Sequence, residues 1–195
     1  MTHCRLTTLT TGPGQVARTL GSLGTFFAND SDSLIGCWAV ESGVLNRILI
    51  LEEAVDGLRS EQQDSAYGCT DLSGISTEMF QAFPSLPLLR DGVLGAIYEA
   101  RTYYLKPEGL EPTLEGWAAD APRRSEISPL AAALYSLDGP LRIMHFWPYA
   151  DYAERLRLRS QAIQAKVWPA RGTPPWLTPH QVSEILLPAP FSPLR

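Results

Sequence analysis

Leu141-Arg142-Ile143-Met144-His145-Phe146-Trp147-Pro148-Tyr149-Ala150 is a short, strongly apolar run. It opens after the turn-forming Leu137-Asp138-Gly139-Pro140 and closes at Pro148. An apolar run of this length between turn residues reads as a buried strand. Just upstream, residues 130–137 read as its partner, with Asp138-Gly139 as a two-residue hairpin turn. Downstream, residues 149–166 read as an Arg-rich helix. A loop rich in Pro and Trp follows (168–179), then a last strand over 182–187. Further upstream, residues 96–105 read as a strand that Lys106-Pro107-Glu108-Gly109 breaks. A helix over 110–121 follows, ended by Pro122. The order is strand–helix–strand–strand–helix–strand.

The first half reads in the same order. Residues 3–10 mix Thr with Leu and suit a strand. Val16, Leu20, Leu23 and Phe27 lie four, three and four apart, which is one face of a helix over 15–28. Strands over 34–40 and 44–51 flank the turn Ser42-Gly43 and read as a hairpin. A helix over 52–63 begins with acidic residues, as a helix N-terminus favours. Residues 67–77 are turn-rich, and 79–83 read as a fourth strand. The segment 85–92 carries Pro and Gly and reads as a linker. The chain therefore divides into repeats at 1–90 and 91–195. Gly14 and Gly109 are 95 apart, as are Gly21 and Gly116, while Gly43 and Gly139 are 96 apart. A shared period of this kind is how internal repeats are recognised. The expected fold class is α+β: two ferredoxin-like βαββαβ repeats packed sheet-to-sheet as an intramolecular α/β barrel. Such closure permits a monomer with a pseudo-dimeric barrel, or a homodimer.

Composition narrows the function classes. Of 195 residues, 45% are hydrophobic and 19% charged, which is globular. The net charge of −5 argues against a nucleic-acid partner, which would want a basic face. The three cysteines, Cys4, Cys37 and Cys69, make no CxxC pair, so reduced cytoplasmic thiols are expected. No apolar stretch approaches the ~20 residues of a membrane span, and the start lacks a signal-peptide pattern. A cytoplasmic location is the expectation. No nucleotide-binding, hydrolase or zincin motif is present, so no cofactor is expected.

The second half resembles the NIPSNAP family, within the dimeric α/β-barrel superfamily of ferredoxin-like folds. The resemblance rests on Tyr98-Glu99-Ala100-Arg101-Thr102-Tyr103-Tyr104-Leu105-Lys106-Pro107-Glu108-Gly109, on His145-Phe146-Trp147-Pro148-Tyr149 leading into the Arg-rich helix, and on Leu187-Pro188-Ala189-Pro190-Phe191-Ser192-Pro193. The first half looks like a diverged copy. It has Cys4-Arg5-Leu6 where the family has its Glu-x-Arg strand, and offsets of 95 or 96 from His145 and Trp147 reach Ile50 or Leu49 and Glu52 or Leu51. Only the later half is expected to keep ionisable groups inside. The superfamily includes cofactor-independent monooxygenases, haem-degrading enzymes and lactone isomerases, a fold-level likeness that assigns no reaction.

Glu99, Arg101 and Tyr103 alternate along one strand and share a face. Turned into the space between the sheets, they would form a polar patch in an apolar pocket. The plainer alternative is a structural ion pair. His145 and Trp147 share the face of their own strand. A histidine there suits a general acid or base, a haem ligand, or a hydrogen-bonded core residue. The expected site takes a small hydrophobic molecule. His145 would transfer protons, Arg101 would anchor an anionic oxygen, Glu99 would orient Arg101, and Tyr103, Trp147 and Tyr149 would bind substrate. A metal site is not expected, because no second His, Cys or Asp lies at ligand spacing. Arg155, Arg157 and Arg159 read as a solvated helix face with local ion pairs; the Pro/Trp loop reads as a lid over a pocket or, more plainly, as a cap on the sheet edge. The rival function is a non-catalytic interaction or scaffold protein that uses the barrel exterior.

Overall fold

A computed structural model describes residues 2–29, 31–55, 67–168 and 174–195. The first half supplies β1 (His3–Thr11), α1 (Val16–Phe27), β2 (Leu34–Ser42), β3 (Arg47–Glu53) and β4 (Leu72–Ala82). The second supplies β5 (Ile97–Leu105), a single 3-10 turn (Pro107–Gly109), α2 (Leu110–Ser125), β6 (Ala132–Ser136), β7 (Arg142–Tyr149), α3 (Tyr152–Gln164) and β8 (Leu177–Pro188). The helix expected over 52–63 has Glu52 and Glu53 in β3 instead, and its remainder falls largely outside the described residues.

The eight strands close into one antiparallel barrel in the order β1-β3-β2-β8-β5-β7-β6-β4. Within each half the strands lie fourth, first, third, second, which is the ferredoxin-like order. Two seams join the halves. Trp38 of β2 sits opposite Pro188 of β8, and Phe80 of β4 opposite Ser136 of β6. The α/β-barrel architecture is thus built within a single chain.

All eight residues of β7 are buried, which explains its unbroken apolar run. Met144 and Phe146 face the barrel interior, where they pack with Leu6, Trp38, Phe80, Tyr98 and Leu186. Ile143, Trp147 and Tyr149 face the other way and pack with Trp117 and Ala121 of α2 and Leu158 of α3. An eight-stranded barrel has an interior just wide enough for side chains to fill, and here aromatic rings fill it. The stacked Trp38 and Phe146 rings lie 5.2 Å apart, and the Trp38 and Tyr98 rings 5.5 Å apart.

Several local expectations change. Helix α2 runs through Pro122 to Ser125: the proline removes one backbone bond, and beyond it Glu126 N donates to Pro122 O at 3.3 Å. The β6–β7 hairpin is wider than a two-residue turn: residues 137–141 connect the strands, and Asp138 Oδ2 accepts Met79 N of β4 at 3.0 Å. Tyr149 ends β7 rather than starting the helix. Asp151 caps α3 by accepting Glu154 N at 2.7 Å. The chain end crosses back over the first half. Cys37 N donates to Ser192 Oγ at 2.9 Å, Phe191 stacks on Phe27, and Leu194 is buried in the barrel core.

Candidate functional site

Strand alternation puts Tyr98 and Ala100 inside the barrel, so Glu99, Arg101 and Tyr103 must face the helices. Cross-strand register then sets Arg101 beside His145 of β7 and Ser183 of β8, and Glu99 beside Trp147. The expected polar patch therefore forms, but not between the two sheets. It lies between the second-half sheet and helices α2 and α3. The space between the sheets is already occupied by the aromatic core.

Glu99 is the hub, with no exposed surface. Its Oε1 accepts Arg155 Nη2 at 2.6 Å, Ser183 Oγ at 2.7 Å and Arg101 Nη1 at 3.0 Å. Its Oε2 accepts Arg159 Nη1 at 3.3 Å. Burial alone would push this carboxyl up. The hydrogen bonds from Arg155 and Ser183, with the charges of Arg101 and Arg159, outweigh it and hold the pKa down to about 2. Arg155 and Arg159 lie one helical turn apart, so both reach inward from α3. The face expected to be solvated is thus split. Arg157 alone pairs outward, with Glu154 at 3.6 Å.

Arg101 is held from two sides. Besides Glu99, its Nε donates to Tyr103 Oη at 2.6 Å. Its Nη2 has no hydrogen-bond partner among the described residues. Arg101, Tyr103 and Arg159 line a cavity of about 520 Å³ whose other walls include Trp117 of α2, Trp168, and Trp176 with Pro174 and Pro175. Trp168, Pro174, Pro175 and Trp176, described residues of the Pro/Trp segment, thus wall this space rather than merely capping the sheet edge. Trp176 Nε1 donates to Thr113 Oγ1 of α2 at 2.9 Å, and Lys106 N donates to Trp176 O at 2.9 Å. Gly109 permits that approach: a Cβ there would come within 2.9 Å of the Trp176 ring. Glu115, exposed on α2, also lines the mouth.

His145 is 1% exposed and sits just behind this lining. Its ring meets Tyr103 edge-on at 5.0 Å and Trp117 at 4.7 Å. Its Nδ1 accepts Trp147 Nε1–H at 2.6 Å, and its Nε2 is buried with no hydrogen-bond partner among the described residues. Burial first, and then the Arg101 charge, hold its pKa well below the ordinary value, so the ring is neutral near pH 7. A neutral ring with Nδ1 accepting carries its proton on Nε2. The ring nitrogen that would take up a proton is already engaged, which does not suit the expected proton transfer. Deep burial also does not suit an axial haem ligand. Trp147 packs beneath Arg124, whose Cζ lies 4.5 Å from the indole ring. Tyr149 is buried, with its hydroxyl 3.5 Å from Arg124 Nη2. Neither Trp147 nor Tyr149 is among the cavity-lining residues, whereas Tyr103 is.

Sequence reasoning missed Arg155, Arg159, Trp117 and Ser183. The signal for the arginines was their i,i+4 spacing opposite the outward-facing Arg157. It also missed a buried ion pair in the first half. Arg5 and Glu52 sit opposite one another in β1 and β3, with Arg5 Nε 3.8 Å from Glu52 Oε2 and Tyr67 Oη donating to the same oxygen at 2.6 Å. The later half is therefore not alone in keeping charge inside.

An antiparallel eight-stranded barrel, helices on its outside and a cavity beneath them define a ferredoxin-like α/β-barrel protein. Residues 98–193, in the second half of the chain, match the model of the NIPSNAP family. Over 150 residues the chain is 26% identical to the Protein NipSnap homolog of Dictyostelium discoideum, covering 72% of this chain and 67% of that one. A proposed monooxygenase from Lactobacillus acidophilus NCFM shares the whole fold, with a TM-score of 0.67 at 8% identity over 97% of this chain and 95% of the other. An anthrone oxidase-like protein matches with a TM-score of 0.59 at 13% identity, over 96% and 91% of the two chains. At such identities the likeness is one of fold.

Proposed function

We propose that this chain binds a small, largely apolar molecule carrying an anionic oxygen, in the cavity between the second-half sheet and helices α2 and α3. One observation carries the reading: a cavity of about 520 Å³ walled by Trp117, Trp168 and Trp176 has guanidinium groups of Arg101 and Arg159 at its polar end. Small-molecule sites combine apolar walls with a few convergent polar groups in this way. The charge balance supports an anion. Three guanidiniums contact one carboxylate, and Arg101 Nη2 stays uncommitted. An arginine fixed by Glu99 and Tyr103 loses little freedom on gripping an oxyanion. Two fold neighbours are described as a proposed monooxygenase and an anthrone oxidase-like protein. From those names we extend only the ligand shape, a flat aromatic or enolisable molecule.

Tryptophan fluorescence tests this, since three of the five tryptophans line the cavity. Titration with 2-naphthoate should quench emission saturably, and Arg101→Leu should weaken binding by at least about tenfold, the worth of one charge-assisted hydrogen bond. No saturable quenching, or equal affinity in the variant, would refute the reading.

A further inference from the structure

The buried Nε2 of His145 is a hydrogen-bond donor without an acceptor among the described residues. Native interiors rarely leave such groups unpaired, and those that remain call for an explanation. The imidazole proton cannot simply move to the other nitrogen, because Trp147 Nε1–H, which can only donate, points at Nδ1 from 2.6 Å. The indole therefore fixes the tautomer.

The location of this donor is specific. His145 sits directly across the strand pair from Arg101, the proposed anion anchor. Trp147, two residues on, occupies one side of the imidazole. Around the rest of the ring stand Tyr103 and Trp117, and both line the cavity. On the same strand face, Ile143, two residues before His145, lines it too. His145 itself is not in the lining, so a ligand oxygen seated beside Arg101 reaches Nε2 only if the Tyr103 and Trp117 rings move aside.

We infer that His145 is a neutral hydrogen-bond donor whose tautomer is set by Trp147, and that it selects ligands bearing an acceptor oxygen next to the anionic oxygen held by Arg101. This deepens, and rests on, the binding role proposed above. It names the ligand class as acids with a neighbouring oxygen acceptor, such as ortho-hydroxy aromatic acids or β-keto acids. Trp147 is then a positioning residue that acts through His145. The charged and titratable groups facing the ring are Arg101 and Glu99 of β5, Arg124 of α2 and Arg159 of α3, with Tyr103 against it. The three arginine charges oppose protonation and Glu99 favours it. A donor of this kind keeps its proton as pH changes around neutrality, unlike an imidazolium.

Two probes of the same shape test this, 1-hydroxy-2-naphthoate, which has the neighbouring oxygen, and 2-naphthoate, which lacks it. The native protein should prefer the hydroxy acid by about tenfold, with the same preference at pH 6 and pH 8. His145→Leu should abolish the preference by weakening the hydroxy acid's binding about tenfold more than that of 2-naphthoate. His145→Gln, which keeps an N–H donor, should restore part of it. ¹⁵N spectra should show His145 as a single Nε2–H tautomer in the native protein and as a tautomer mixture in Trp147→Phe, whose preference should fall. Binding of both probes with no preference, or an unchanged preference in His145→Leu, would overturn the inference while leaving the binding role standing. That is also the result expected if a permanent water pairs with Nε2. If neither probe binds the native protein, both readings fail.

Discussion

The two halves of the barrel share a strand order, and each buries a carboxylate on the face of its sheet turned away from the barrel. In the first half, among the described residues, Glu52 meets one arginine, Arg5, together with Tyr67 and Ser33. Around it lies a packed apolar cluster of Leu9, Leu23, Phe27, Ile48 and Ile50. In the second half, Glu99 meets three arginines, and two of these open onto a cavity. A buried charge needs a partner for structural reasons alone. An excess of opposite charge beside a cavity is not required by packing. The comparison sets a carboxylate enclosed in a packed apolar cluster against one whose arginines open onto a cavity and can accept an anion.

The largest test of that contrast is neutralisation of each hub. Glu99→Gln leaves three guanidiniums without their counter-charge and should cost about 3–5 kcal/mol in urea unfolding. Glu52→Gln should lower stability without changing anion binding, whereas Glu99→Gln should change both. An equal effect of the two variants on 2-naphthoate binding would erase the distinction.

Acid should next expose Glu99. Its folded pKa of about 2 lies below the ordinary 4.5. A depressed carboxyl stabilises the fold above the ordinary pKa and loses that contribution as pH falls toward the folded value. Stability should therefore drop by about 3 kcal/mol between roughly pH 4.5 and pH 2. This part of the acid profile should be missing in Glu99→Gln. If the variant and native profiles stay parallel through that window, another group governs it.

A smaller effect divides helix α3. Arg155→Ala removes a short charge-assisted bond to Glu99 and should cost about 1–2 kcal/mol. Arg157→Ala touches only an exposed pair and should stay within about 0.5 kcal/mol. Similar losses would mean that α3 does not present one arginine face to the sheet.

Much of the architecture was legible from Leu141 to Tyr149 outward, because runs bounded by Gly, Pro and Asp report strand limits directly. Strand alternation also grouped Glu99 with Arg101 and Tyr103, and His145 with Trp147. Alternation states which residues share a face, but it does not state which side that face meets. Packing decided it: Trp38, Phe80, Tyr98 and Phe146 fill the barrel and leave the helix side for the charges. The arginines of α3 were missed because this helix carries weak amphipathic patterning. Leu156 and Ile163 are exposed while Leu158 and Ala162 are buried, so polarity alone did not mark the inner face. Pro122 was read as a stop because an interior proline loses its N–H bond and crowds the preceding turn, a cost that the packing of Trp117 and Ala121 of α2 on the sheet outweighs.

Where an acid binds is the most direct question. A crystal structure with 1-hydroxy-2-naphthoate should place the rings among Trp117, Trp168 and Trp176, with the carboxylate on Arg101 Nη2. A ligand lodged inside the barrel against Trp38 and Tyr98, or a cavity left unchanged at saturating acid, would contradict the account.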